Sequence, residues 1–232
     1  MLMDQRTHVL MRPTMYIGSV DQIPRQEELY DFKTKTRYNN VILFPEGAER
    51  IFLEILDNAV DAILNQRNGK IDIIIDNNKV SITNYECVIP IEIHRISGLY
   101  IPQMCFGEFN VSRNYNTLGN HHREHNGLGS KYGNVFSKFF DVVICDHNKQ
   151  LKYIQTWSDH MSNCELPIIE KYLGDTSFVQ VNYHMDFDEF GYRTPGAGFY
   201  PEEALHLFAK HALNKLIDHE IPIVFNGHEL NL

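Results

Sequence analysis

Residues 48 to 66 read AERIFLEILDNAVDAILNQ, and the spacing predicts a helix. Ile51, Ile55, Val60, Ile63 and Leu64 recur near the helical period, and Gly69 follows as a stop signal. The same stretch carries a second pattern. Glu54, Asn58 and Asp61 stand at offsets of four and seven, so they share one face at the edge of the apolar stripe. A carboxylate and an amide one turn apart can hold a water and a hard cation side by side. The carboxylate accepts a proton and the amide oxygen ligates Mg²⁺. An ordinary solvated helix face has the same spacing, so the pattern alone does not choose between the two.

The segments around this helix read as a sheet. KIDIIIDNNKVSITNY, residues 70 to 85, gives two β-rich runs joined by Asp76-Asn77-Asn78, which is hairpin chemistry. FFDVVICD and LKYIQTW flank His147-Asn148-Lys149 as a second hairpin, and SFVQVNYHMD reads as a further strand. PEEALHLFAKHALNKLID has Pro201 and acids at its front and a lysine near its end, the signals of helix termini. IPIVFNGHEL closes as a hairpin around Asn226-Gly227. Helices and a mostly antiparallel sheet, not in strict alternation, predict an α+β sandwich.

Composition narrows the class. The 232 residues are 43% hydrophobic and 22% charged, an ordinary globular balance for one large or two small domains. No apolar run is long enough to span a membrane, and MLMDQRTHVLMRP has charges where a signal peptide needs its apolar core. Cys87, Cys105, Cys145 and Cys164 form no C-x-x-C pair, which points to a reducing, intracellular setting. A net charge of −9 argues against a surface that binds DNA all over, though a local basic patch remains compatible with it.

HNGLGSKYGN, residues 125 to 134, looks like a phosphate loop but matches neither common spacing. Asn126-Gly127-Leu128-Gly129 lets the backbone come close to a ligand. Its amides would meet an anion at the start of the helix expected over SKYGNVFSKFF, with Lys131 adding a positive charge. The plainer reading is a loop capped by Asn126. Asn84, at a strand end, is either a turn residue or a side chain that reads an adenine amino group through its carbonyl. His121, His122 and His125 lack a cysteine or acidic partner at a familiar ligand spacing and read as loop residues rather than a zinc site.

The order of these segments is more specific than any one of them. RPTMYIGSV, EILDNAVD, ITNYECVIPI, LYIPQMCFGEFNVSRNY, HNGLGSKYGNVFS, and later QTW and VFNG follow one another along the chain. This series resembles the GHKL-type ATPase domain of type IIA DNA topoisomerases, nearest to their eukaryotic and viral branch, from about Thr7 to the last residue. The resemblance implies an ATP-binding sandwich over residues 1 to 232, with ATP and Mg²⁺ as ligands. It implies Glu54 as the general base and Asn58 as the Mg²⁺ ligand, with Asn84 at the adenine amino group. It places Ser112, Arg113 and Asn114 at the ribose and phosphates. Asn126, Gly127, Leu128, Gly129 and Lys131 fall in the phosphate lid, and Ser177 on the strand beneath the adenine. It also implies a homodimeric parent enzyme acting on DNA, in the nucleus or in a viral or host cytoplasm.

Departures from the family pattern qualify the resemblance. After the adenine-reading residue the family has Asn-Gly-Lys-Gly or Asn-Gly-Arg-Gly, whereas here Tyr85-Glu86-Cys87-Val88 follows Asn84 without a glycine. Glu124 stands where the family has a glycine before the lid, and Arg113 replaces a serine. The family's N-terminal arm is short here, and its transducer domain, with a lysine for the γ-phosphate, is expected beyond Leu232. The alternative is a nucleotide-binding or dimerisation module on the same fold whose hydrolysis has decayed. Intact Glu54, Asn58 and Lys131 favour the enzyme.

Overall fold

The expected long helix is present as α2, Glu46–Gln66, and the rest of the chain is arranged around it. A computed structural model describes residues 3–66, 68–109, 128–190 and 199–231. The chain enters through α1 (Gln5–Met11) and a hairpin of β1 (Pro24–Asp31) and β2 (Thr36–Leu43). After α2 come β3 (Ile71–Asp76), β4 (Lys79–Tyr85), α3 (Ile101–Gly107) and α4 (Gly129–Val135). Then follow β5 (Ser137–Asp146), β6 (Leu151–Ser158), β7 (Asn163–Cys164), β8 (Ile168–Lys171) and β9 (Phe178–Met185). The described chain closes with α5 (Glu202–His219), β10 (Ile223–Phe225) and β11 (His228–Glu229).

β1 and β2 pair only with each other, and the other nine described strands form one sheet in the order β11-β10-β3-β4-β9-β5-β6-β7, with β8 also on β6. All its pairings are antiparallel except β10 on β3, in which Ile223 lies opposite Ile71. The result is the expected α+β sandwich. α2 buries Ile51, Phe52, Ile55, Leu56 and Ile63, and α5 buries Leu207, Phe208 and Leu213. The two helices meet through stacked rings of Phe52 and Phe208, 4.0 Å apart at 6°. An aromatic pair of this kind adds about 0.5–1.5 kcal/mol beyond its area burial.

The turns follow from their residues. Asn77, in the loop between β3 and β4, takes φ 53°. Asn226 and Gly227 take φ 46° and 80°, as a two-residue type I′ turn requires. The Asn226 side chain reaches sideways. Its Oδ1 accepts from Ile75 N at 2.7 Å, and its Nδ2 donates to Ile75 O at 3.3 Å. A side-chain amide thus continues the pairing that β10 makes with β3.

One expected boundary moves. The helix predicted over residues 130–140 stops at Val135, and residues 137–140 belong to β5. Ser137 Oγ donates to Gly133 O at 2.6 Å, so a hydroxyl satisfies one of the last helical carbonyls. Ser137 then lies opposite Met185 on β9, and strand pairing overrides local helical propensity from there on.

Candidate nucleotide site

The polar face of α2 forms one wall of a cleft of about 500 Å³, a size in the usual range for ligand pockets. Glu54, Asp57, Asn58 and Asp61 line it from α2, Gly129 and Tyr132 from α4, and Lys215 from α5. Three carboxylates on one wall would repel one another unless cations stood among them. Arg50 Nη2 lies 2.5 Å from Glu54 Oε1, one helical turn back, and Lys215 Nζ lies 2.6 Å from Asp57 Oδ1. Among the described residues the Asn58 amide has no hydrogen-bond partner.

Around the helix from the cleft lies a second, narrower pocket of about 80 Å³. Its walls are mostly apolar: Ile55 and Ala59 from α2, Ile82 from β4, and Val179 and Val181 from β9. Asn84 and Cys87 stand in it as well, 4% and 3% exposed. Asn58 borders both spaces, so a ligand with a flat apolar end and an anionic end could occupy both at once.

α4 closes on α2 through its glycines. A Cβ on Gly129 would overlap the Glu54 carboxylate and lie 2.7 Å from Glu54 Cβ, and one on Gly133 would lie 2.8 Å from Ile55 Cδ1. The two glycines face α2 one turn apart, so the backbone of α4 comes within reach of whatever Glu54 holds.

Comparisons with known proteins agree with this geometry. No family model matches the chain. DNA topoisomerase 2 of Candida glabrata is 35% identical over 196 residues, which are 81% of this chain and 14% of that protein. The ATPase region of Saccharomyces cerevisiae topoisomerase II superposes with a TM-score of 0.86 at 30% identity, covering 100% of this chain and 61% of that one. The chain is a homologue of the type II DNA topoisomerases. The ATPase and transducer domains of topoisomerase II from Balamuthia mandrillaris give a TM-score of 0.85 at 26% identity, covering 100% of this chain and 60% of theirs. The chain spans about one seventh of the length of the curated topoisomerase it matches, 14%.

Of the residues that the topoisomerase resemblance singled out, Glu54, Asn58 and Gly129 are brought together in the cleft, with Leu128 at its rim. Asn84 stands in the apolar pocket, within β4 rather than in a turn, opposite Ile71 and Val179. Lys131 is buried on α4 at 5% exposure. Burial of the Cys105 thiol on α3 lifts its pKa to about 11, and the Lys131 charge pulls it the other way. Ser177 lies just before β9 and lines neither space. Its Oγ accepts from His147 N at 3.0 Å, and its carbonyl accepts from Glu86 N at 2.8 Å. Ser112, Arg113, Asn114, Asn126 and Gly127 lie outside the described residues, as do Glu124 and the three histidines His121, His122 and His125.

The absent glycines have a structural answer. Glu86 takes φ 61°, the left-handed conformation that glycine adopts freely, and its N–H bonds to Ser177 O. Cys87 and Val88 contribute to the pocket wall, where the topoisomerase pattern has lysine or arginine and then glycine. Arg50, Asp57 and Lys215 escaped the sequence reading. Arg50 was legible in principle, since it precedes Glu54 by four residues on a helix. Lys215 is 158 positions from Asp57 and could be placed there only by the fold.

Proposed function

We propose that this chain binds ATP with Mg²⁺ and hydrolyses it, as the nucleotide-driven gate of a type II DNA topoisomerase. The observation that carries the reading is the position of Asn58 between an apolar pocket and a polar cleft, with Glu54 one turn away and Gly129 against it. The base would enter the apolar pocket toward Asn84. The phosphates would lie along the cleft, beside Leu128 and the backbone of Gly129. Glu54 would take a proton from the attacking water. Phosphoryl transfer to water asks mainly for positioning and charge stabilisation, and this constellation supplies both.

The donor set suits Mg²⁺. The cleft offers the Asn58 amide oxygen, unpartnered among the described residues, and carboxylates, all hard oxygen ligands. Among the described residues no cluster of three His, Cys, Asp or Glu could hold a metal by itself. Asn58 would therefore share the ion with the nucleotide's own phosphates, and the ion would offset phosphate charge.

In the whole protein, nucleotide binding would close two copies into a dimer, and hydrolysis would reopen them to reset DNA strand passage, inside a cell. No helix among the described residues is long and apolar enough to cross a membrane. The second reading, binding without turnover, draws on the pairing of Glu54 with Arg50, which occupies the proposed base. Glu54→Ala separates the two. Loss of ATP hydrolysis by about 10²–10⁴-fold with ATP binding retained supports the base. Equal hydrolysis by both proteins in clean preparations excludes it.

A further inference from the structure

α4 forms the cleft wall that faces Glu54, yet it is only seven residues long, Gly129–Val135. Two turns of helix do not hold themselves in water, so the place of this wall is set by what grips it. Gly129, at its near end, rests against Glu54. At its far end three carbonyls accept hydrogen bonds. Gly133 O accepts from Ser137 Oγ at 2.6 Å, and Phe136 O accepts from Asp186 N at 3.0 Å. Val135 O lies 3.0 Å from His160 Nδ1. A carbonyl only accepts, so His160 Nδ1 is the donor.

His160 is held by a network of its own. It lies in the turn after β6, where Asp159, His160 and Met161 take φ 52°, 56° and 64° in succession. Residues with a Cβ seldom adopt this conformation, and three together persist only where surrounding contacts hold them. Those contacts are present. Asp159 N donates to Lys138 O at 3.0 Å, and His160 N donates to Ser137 O at 3.1 Å. Arg6 on α1 donates to His160 O at 3.1 Å and to Ser162 Oγ at 2.7 Å. On the other side of the ring, Nε2 stands 3.1 Å from Asp186 Oδ2, and Lys138 Nζ stands 3.1 Å from Asp186 Oδ1. Asp186 is 5% exposed, so its carboxylate is fixed and steadies the ring. The imidazole is thus clamped between a buried carboxylate and the end of α4.

We propose that His160 is a positioning residue: by holding α4 at its far end it keeps the Gly129 wall against Glu54, and so governs how the cleft receives the anionic part of a nucleotide. This rests on the nucleotide-site reading above and deepens it. Among its described lining residues the apolar pocket takes only Ser130 from α4, so the base should feel a displaced helix far less than the phosphates do. The test is calorimetric binding of Mg·ATP and of adenosine to the 232-residue chain, wild type against His160→Ala, His160→Asn and His160→Gln. An asparagine amide can donate to Val135 O from the place of Nδ1, whereas a glutamine amide sits one bond farther out, toward Asp186. The ratio of ATP to adenosine affinity should fall about three- to tenfold in His160→Ala and His160→Gln, the worth of one net hydrogen bond, and keep its wild-type value in His160→Asn. Partial unfolding removes binding sites for both ligands alike, so a merely structural role would leave the ratio unmoved. A ratio that is unchanged in His160→Ala, or that falls as far in His160→Asn, overturns the proposal and leaves the nucleotide site standing. Wild-type chain that binds ATP no tighter than adenosine overturns the reading of the cleft and the proposal together. Should His160→Ala not fold, His160→Gln takes its place: a lowered ratio supports the proposal and an unchanged one refutes it.

Discussion

Gly129 faces Glu54 with no room for a side chain, since a methyl group there would lie 2.7 Å from Glu54 Cβ. The carboxylate could swing aside, but the Cβ is fixed to the backbone of α2, so an added methyl must push the helices apart. We expect Gly129→Ala to cost about 1–3 kcal/mol of stability, as overpacking does. ATP hydrolysis should suffer more, by up to about 10²-fold, because the proposed base and the phosphate-binding backbone would separate. Thermal unfolding and steady-state hydrolysis on the same preparation measure both. Full activity with a lowered melting temperature would reduce Gly129 to a packing role.

Arg50 has a different signature. Its pair with Glu54 is half open to water, its own side chain 57% exposed, so it should contribute only about 0.3–0.5 kcal/mol to stability. In a cleft with Glu54, Asp57 and Asp61, removing a cation should matter more to an anionic ligand. Arg50→Ala should leave the melting temperature nearly unchanged and weaken ATP binding, the more so at low salt. Equal ATP affinity at 50 mM and 500 mM salt in wild type and variant, values of the order used to vary screening, would show that Arg50 serves Glu54 alone.

Glu86 predicts an unusual tolerance. A left-handed backbone costs a residue with a Cβ roughly 1–2 kcal/mol, and glycine pays little of it. Glu86→Gly should therefore be neutral or stabilising by up to about 1 kcal/mol, while Glu86→Val should be clearly destabilising. Denaturant melts of the two variants give the comparison. A destabilised glycine variant would mean that the carboxylate, not the backbone, matters at this turn.

Acid should loosen the joint between the first hairpin and the helices. Glu49 on α2 accepts from His211 Nε2 on α5 at 2.6 Å and pairs with Arg25 on β1. Burial alone would raise its pKa, but the His211 hydrogen bond and the His211 and Arg25 charges hold it below the ordinary 4.5. A depressed carboxylate stabilises the fold above its unfolded pKa and loses that contribution as pH falls through the folded one. The melting temperature should thus fall as pH drops below about 4.5, and Glu49→Gln should flatten this part of the curve. Identical pH profiles would assign acid sensitivity to other carboxylates.

What the sequence disclosed was local. The 48–66 helix, the Asn77 turn and the Asn226-Gly227 turn are each written within a few residues, so period and turn chemistry sufficed. The β1–β2 hairpin was missed because PRQEELYD and TRYNNVIL are mainly polar, with only Leu29, Tyr30 and Ile42 buried among them. The parallel pairing of β10 with β3 joins segments about 150 residues apart and leaves no local trace. The site divided in the same way. Glu54 and Asn58 were readable from helical spacing, whereas the Cys87 and Val88 wall and the Lys215 cation depend on how distant segments pack.

The short reach of β10 leaves β3 vulnerable. β10 covers β3 only from Ile71 to Ile73, and the outer edge of β3 beyond that would present bare amide and carbonyl groups. Such a stretch, with Ile73, Ile74 and Ile75 in succession, is the kind of template on which a second chain can align and begin an aggregate. By taking both the N–H and the C=O of Ile75, the Asn226 amide occupies that edge and denies it to a stranger. A hairpin residue whose local task is to turn the chain thereby also protects the solubility of the whole domain.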